Sequence, residues 1–183
     1  YCGCVAAYAS VRSLKRYSVG ELAALHREGL RLLYVGFETG NDEALAFMKK
    51  GNTAEEAIQQ GQKLSEANLI FNAIIMYGIA GKDKCVENAK WTAKMLNQLK
   101  PRKIITMNLT VFQGTELASL VKEGKFAEAG VKEKMREIKS LIERLDIEKR
   151  VEFDTTHAMN LVKLQGWLPE QREEFIEKLE VSR

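Results

Sequence analysis

A chain of 183 residues with 45% hydrophobic side chains is long enough to bury one sizeable core. Its formal charge of +3 is too small to argue for a nucleic-acid or membrane-surface partner, and no apolar run reaches the ~20 residues of a bilayer span. Cys2, Cys4 and Cys85 are an odd count without framework spacing, which favours reduced thiols and a cytoplasmic setting. The first residues lack a signal peptide, and a chain opening on Tyr1 reads as a piece of a longer protein.

The first apolar run, Val5–Val11, predicts a strand. Ser18 and Glu21 stand at the spacing of a capping box and start a helix. Leu32–Phe37 predicts the second strand. Asn41 then caps a short helix through Lys49, which Gly51 stops. Thr53 and Glu56 repeat the capping box and open a helix that Asn68 ends. Ile70–Met76 predicts a strand and Lys84–Leu99 a helix halted by Pro101. Ile104–Val111 is the fourth strand, and Thr115–Glu123 a short helix ending at Gly124. Glu133–Ile147 is amphipathic, with Met135, Ile138, Leu141, Ile142 and Leu145 on one face. Val151–Phe153 makes a short last strand, and Glu170–Leu179 closes the chain as a helix after Pro169.

The runs are apolar or small on both faces, as in parallel strands covered by helices. The last three full-length runs start roughly 35 residues apart, about one βα unit. No linker divides the chain, so one α/β domain is the simplest account. Right-handed crossovers place the helices outside a curved parallel sheet. Four or five units do not close an eight-stranded barrel. The sheet is therefore an open part-barrel, or further units lie upstream of Tyr1.

Ligands in such folds sit at the carboxyl ends of the strands. Glu38 lies at such an end. It either accepts hydrogen bonds from ribose hydroxyls or an ammonium, or serves as a dipole partner for the helix starting at Asn41. Gly78-Ile-Ala-Gly81 follows a strand and precedes a helix. It is either a close-approach loop for a flat or anionic ligand, or a plain tight turn. Gly114-Thr115 pairs a turn glycine with an N-cap, and Lys50 stands at a helix end like an ordinary dipole partner. Cys2 and Cys4, with Cys85 remote, do not make a four-thiolate metal site. His26 reads as a surface group, and His157 lies in a polar loop. No residue is assigned a catalytic or metal-binding role from these patterns.

Leu33-Tyr-Val-Gly-Phe-Glu-Thr-Gly-Asn-Asp-Glu-Ala-Leu45, Lys49-Lys-Gly-Asn-Thr53, Ile74-Ile-Met-Tyr-Gly-Ile-Ala-Gly81 and Val111-Phe-Gln-Gly-Thr115 occur in this order. Together they resemble the latter half of a radical S-adenosylmethionine (radical SAM) domain, nearest the coproporphyrinogen dehydrogenase-like and related iron–sulfur oxidoreductase branch. Asn160–Pro169 is similar, more loosely, to a tail of that branch. The resemblance implies a partial (β/α)6 TIM-like barrel, with residues 1–126 as its latter half and 127–183 as a helical C-terminal extension on the same domain. It implies S-adenosylmethionine as cofactor and a 4Fe–4S cluster held by CxxxCxxC in the longer protein. Cleavage of that cofactor would give a 5′-deoxyadenosyl radical that abstracts hydrogen from a substrate. On this likeness Glu38 meets the cofactor's ribose or amino group and Lys50 its carboxylate. Ile74, Met76 and Gly78 pack on the adenine, and Val111, Phe112 and Gly114 lie across its other side. Arg12, Tyr8 and His157 are candidates toward a small-molecule substrate.

The chain contains no CxxxCxxC, so by itself it is expected to be inactive. A strand edge left open before the first run predicts self-association there. Two other functions fit the same residues: an α/β-barrel enzyme binding phosphate at Gly78–Gly81, and a non-catalytic scaffold domain.

Overall fold

A computed structural model describes residues 4–181. Six strands form one sheet in chain order: β1 (Val5–Ser10), β2 (Leu30–Glu38), β3 (Ile70–Tyr77), β4 (Lys103–Asn108), β5 (Val151–Asp154) and β6 (Gln165–Leu168). The first five pair in parallel and β6 runs antiparallel to β5. The helices are α1 (Val11–Leu14), α2 (Val19–Arg27), α3 (Asp42–Phe47), α4 (Ala54–Glu66), α5 (Cys85–Leu99), α6 (Glu116–Lys122), α7 (Val131–Arg144) and α8 (Arg172–Val181). This is the mainly parallel, open α/β sheet expected from the alternating runs.

The start signals work as read. Ser18 Oγ accepts the Glu21 amide while the Glu21 carboxylate accepts the Ser18 amide, and Thr53 and Glu56 make the same exchange. Asn41 Oδ1 takes the amides of Glu43 and Ala44. Several boundaries differ from these readings, and four have a clear local reason. The first strand stops at Ser10, because Ser10 and Ser13 cap each other and turn the chain into α1. The fourth strand stops at Asn108, whose amide is taken by Asn160 Oδ1. The long amphipathic helix begins at Val131, where the Glu133 carboxylate accepts the Gly130 amide. It ends at Arg144, where Asn97 of α5 bonds the Arg144 carbonyl and the Asp146 amide. The strand β6 went unforeseen.

Strand side chains alternate between two faces. Leu33, Val35, Phe37, Phe71, Ala73, Ile75, Tyr77 and Ile104 join one continuous core with α4, α5 and α7. The other face carries half-buried Tyr34, Ile74, Met76, Ile105 and Met107. Tyr8 stacks on Tyr34 there with centroids 5.2 Å apart and is 81% exposed. Lys103 bridges Glu152 at 3.1 Å and Asp154 at 2.6 Å, bracing β4 to β5. Among the described residues, β1 has no partner on its outer side.

Candidate functional site at the strand tips

The parallel order aims the carboxyl ends of β1 to β4 at one mouth. Glu38 ends β2 in a strained conformation. Its φ is 67°, in the left-handed region that costs a residue with a Cβ, and the β2–β3 register slips between Gly36 and Glu38. This bulge turns the carboxylate toward Lys50, whose Nζ donates to Glu38 Oε1 at 3.0 Å. The two charged candidates are thus brought together, and both remain partly accessible. Lys49 beside them pairs with Glu116, tying the end of α3 to the start of α6.

Ile74 and Met76 lie along β3 on the half-buried face that leads to the mouth. Gly78 follows with φ 79°, a conformation that glycine adopts without penalty. The space a side chain would fill at Gly78 is taken by Lys134, whose Cε would lie 2.7 Å from an added Cβ. Val111, Phe112 and Gly114 sit in the turn after β4 rather than in the strand. Phe112 is 61% exposed and Gly114 has φ 82°. His157 is exposed on the loop that docks against the β4 tip, and His26 lies in the last turn of α2, away from the mouth. Arg12 and Tyr8 are exposed at the β1 side. Cys4 is exposed, Cys85 is buried at the start of α5, and Cys2 lies outside the described residues.

A pocket of about 300 Å³ opens between α3 and the Gly78–Lys84 loop. The rings of Phe47 and Phe126 stack in its wall at 5.5 Å, and Lys82, Lys84, Lys125 and Asn41 line it. A larger cavity, about 430 Å³, is at the other end of the sheet, lined by Ile70, Arg102 and Val151 where strands begin. It is not part of the mouth.

Behind the tips runs a buried polar network that sequence reasoning missed. Glu137 of α7 accepts the Gly78 amide at 2.8 Å and Asn88 Nδ2 at 2.6 Å. Thr39 donates to Asn88 Oδ1 at 2.7 Å and lies 3.0 Å from Thr92 Oγ1, which accepts the Gly40 amide. Burial pushes the Glu137 carboxyl up from its ordinary range, against the pull of its hydrogen bonds and of Lys134. Burial and the nearby Glu137 push the Cys85 thiol far up, which makes it a poor nucleophile. The available signal was polar residues, Lys134, Glu137 and Ser140, interleaved with Ile138, Leu141 and Ile142 on the buried face of one helix.

The residues fit S-adenosylmethionine in chemistry. Glu38 offers an anionic acceptor, Lys50 a cationic donor, and Ile74, Met76 and Phe112 apolar surface. They do not fit an iron–sulfur cluster: among the described residues no three His, Cys, Asp or Glu side chains gather into a metal site.

No protein-family model matches the chain. A curated relative, the tRNA uridine(34) acetyltransferase of Methanocaldococcus jannaschii, is 27% identical over 107 residues, which are 58% of this chain and 20% of that protein. Among solved structures, the archaeal Elp3 of Methanocaldococcus infernus matches all of this chain and 43% of its own, with a TM-score of 0.68 and 21% identity. The coproporphyrinogen III oxidase HemN of Escherichia coli, a radical SAM enzyme, matches 76% of this chain and 31% of its own, with a TM-score of 0.60 and 16% identity. TsrM of Kitasatospora setae, a radical S-adenosylmethionine methyltransferase solved with cobalamin and a 4Fe–4S cluster, matches 64% of this chain and 21% of its own, with a TM-score of 0.53 and 16% identity. The shared feature is the fold, a partial TIM-like sheet of the kind these radical SAM enzymes use. The chain spans less than half the length of each of these proteins. The neighbours spread over several reaction types, and the coproporphyrinogen-oxidising branch is one among them.

Proposed function

We propose that this chain is the latter part of a radical SAM enzyme and that its strand tips hold S-adenosylmethionine. Glu38 and Lys50 take the amino-acid and ribose end. Ile74 and Met76 face the adenine from one side, with Gly78 buried at the strand end behind them, and Val111, Phe112 and Gly114 from the other. The observation that carries this reading is Glu38, a carboxylate in a left-handed backbone at a register slip, 3.0 Å from a lysine. Strain of this kind collects at ligand sites. A zwitterionic amino-acid group can replace such an ion pair partner for partner, ammonium to Glu38 and carboxylate to Lys50. When bound in a complete enzyme, the cofactor supplies a 5′-deoxyadenosyl radical. The residues of this chain bind and orient it, and the chain alone is inactive because the cluster ligands are not among them.

Glu38→Gln should weaken binding of S-adenosylmethionine or S-adenosylhomocysteine by roughly tenfold or more in a calorimetric titration, with the thermal melt little changed. Equal affinity would reduce Glu38 to a structural role.

For the substrate we favour RNA over a small porphyrin-like molecule. Support comes from the relative that acts on tRNA and from three lysines, with one glutamate, Glu43, beside an aromatic stack in the pocket between α3 and the loop after β3. Phosphate contacts made by lysines raise affinity at low salt. Reversing Lys82, Lys84 and Lys125 to glutamate should remove most tRNA binding seen by fluorescence anisotropy at low ionic strength. Unchanged binding would return the substrate to the small-molecule class.

The outer edge of β1, without a strand partner among the described residues, supports a companion proposal, that the isolated chain self-associates edge to edge. Light scattering at high concentration should show dimers or larger species, and a clean monomer would count against it.

A further inference from the structure

We propose that Glu137 is a positioning residue that locks the tips of β2 and β3 to each other from behind, so that Glu38 and the half-buried Ile74 and Met76 of β3 present one fixed nucleoside-binding surface. The inference rests on the proposed cofactor site for its purpose, but the coupling itself is read from the hydrogen bonds.

The side chain of Glu137 comes from α7, far along the chain from either tip, and the residue is only 3% exposed. Its two oxygens act on two different tips. Oε2 receives the Gly78 amide at the end of β3. Oε1 receives Asn88 Nδ2, and a carboxylate facing that amide group must be met by its NH2 side. The orientation of Asn88 is thereby set, and its Oδ1 is left as the acceptor for the Thr39 hydroxyl. The Thr39 proton is then spent, so the 3.0 Å contact with Thr92 has Thr92 as donor, and Thr92 Oγ1 accepts the Gly40 amide at 3.2 Å. Thr39 Oγ1 also accepts the Asn41 amide that opens α3. Asn88, Thr92 and Thr39 are all buried, so no solvent can stand in for a lost member.

One carboxyl group thus heads the hydrogen-bond chain that runs from Gly78 to Gly40. Thr39 is the residue after Glu38, so this chain holds the end of the strained segment that aims the Glu38 side chain. One turn earlier on α7, Lys134 Nζ donates to the Leu109 carbonyl just past β4, at 3.2 Å. Glu133 accepts the Asp83 amide in the β3–α5 loop, at 2.7 Å. The same helix therefore grips the loops after β3 and β4 directly and the tip of β2 through Asn88.

The test uses the 15N-labelled chain and amide hydrogen exchange at Gly78 and Gly40. Glu137→Leu fills the space but removes both acceptors. It should speed exchange at the two amides by roughly ten- to hundredfold beyond the change in global stability. Glu137→Gln should largely restore protection, because Asn88 and Thr39 can reverse together and accept or donate in the opposite sense. Thr39→Val, which touches neither Glu137 nor Gly78, should still speed exchange at Gly78. Leucine protecting as well as glutamine would overturn the proposal, as would Gly78 exchange indifferent to Thr39→Val. Should Glu137→Leu fail to fold, the Thr39→Val arm decides alone. A parallel titration with S-adenosylhomocysteine should show weaker binding in Thr39→Val and near-native binding in Glu137→Gln. Native affinity in Thr39→Val would overturn the positioning role. No binding by the unaltered chain would overturn the cofactor reading instead, with exchange still deciding the coupling.

Discussion

Gly40→Ala should be among the most damaging single changes in this chain, lowering stability by about 3 kcal/mol or more. A methyl group added there would lie 2.2 Å from the Trp91 carbonyl oxygen and 2.7 Å from its carbon, with Met95 Cβ at 3.1 Å. The obstacle is helix backbone in the middle of α5, so no rotamer change relieves it. The helix would have to lift from the sheet, and α5 is buried there through Ala89, Ala93 and Leu96 and packed on α7. Lifting it would also carry Asn88 and Thr92 away from Thr39. At roughly 2–4 °C per kcal/mol for a chain of this size, the melting temperature should drop by about 6–12 °C. Gly114→Ala makes the contrast: its φ of 82° disfavours a side chain, yet nothing lies within 4 Å, so strain alone should cost about 1–2 kcal/mol. Denaturant midpoints of the two variants check the order. Equal shifts would mean that the close approach of β2 and α5 is not what the glycine serves.

That contrast also separates what the sequence could reveal from what it could not. Capping boxes join residues three apart, so Ser18–Glu21 and Thr53–Glu56 were legible before any fold was known. The four long strands were legible because each is a run of apolar residues bounded by turn signals. Gly40 stood only as one letter of the Leu33–Leu45 motif, because its reason, the backbone of Trp91, is contributed by a helix far along the chain. The same holds for Gly78, where the space behind the glycine is filled by Lys134. Glu38 was singled out by its place at a strand end and Lys50 through the resemblance, and the structure adds their ion pair and the strained φ. The Glu137 network joins residues 49 and 59 positions apart, a relation that no local pattern encodes. The strand β6 escaped because Gln165-Gly-Trp-Leu168 opens on a polar residue and a glycine and has no β-branched residue, unlike Val151-Glu-Phe153. Its partner β5 selects it through antiparallel backbone pairing.

The second large effect is expected from Phe153→Ala, which asks whether the residues after 126 melt with the rest. Phe153 is fully buried at the centre of β5, paired across to Ile104 on one side and Gly166 on the other. Its ring lies 6.2 Å from that of Phe175 on α8. Truncating a buried phenylalanine to alanine costs about 3–5 kcal/mol through lost burial and the cavity left behind. The chain supplies its own reporters, since Trp91 lies on α5 and Trp167 on β6, where the Arg150 guanidinium covers it at 4.3 Å. Because β5 is registered on β4 and α7 packs on α5, the loss should spread to both reporters. Single-tryptophan versions of Phe153→Ala should therefore unfold in guanidinium at one shared, lowered midpoint. A Trp167 signal that collapses early while Trp91 keeps its native midpoint would make β5, β6 and α8 a separate unit. In that case α7 would have to hold Gly78 without support from the strand that follows it.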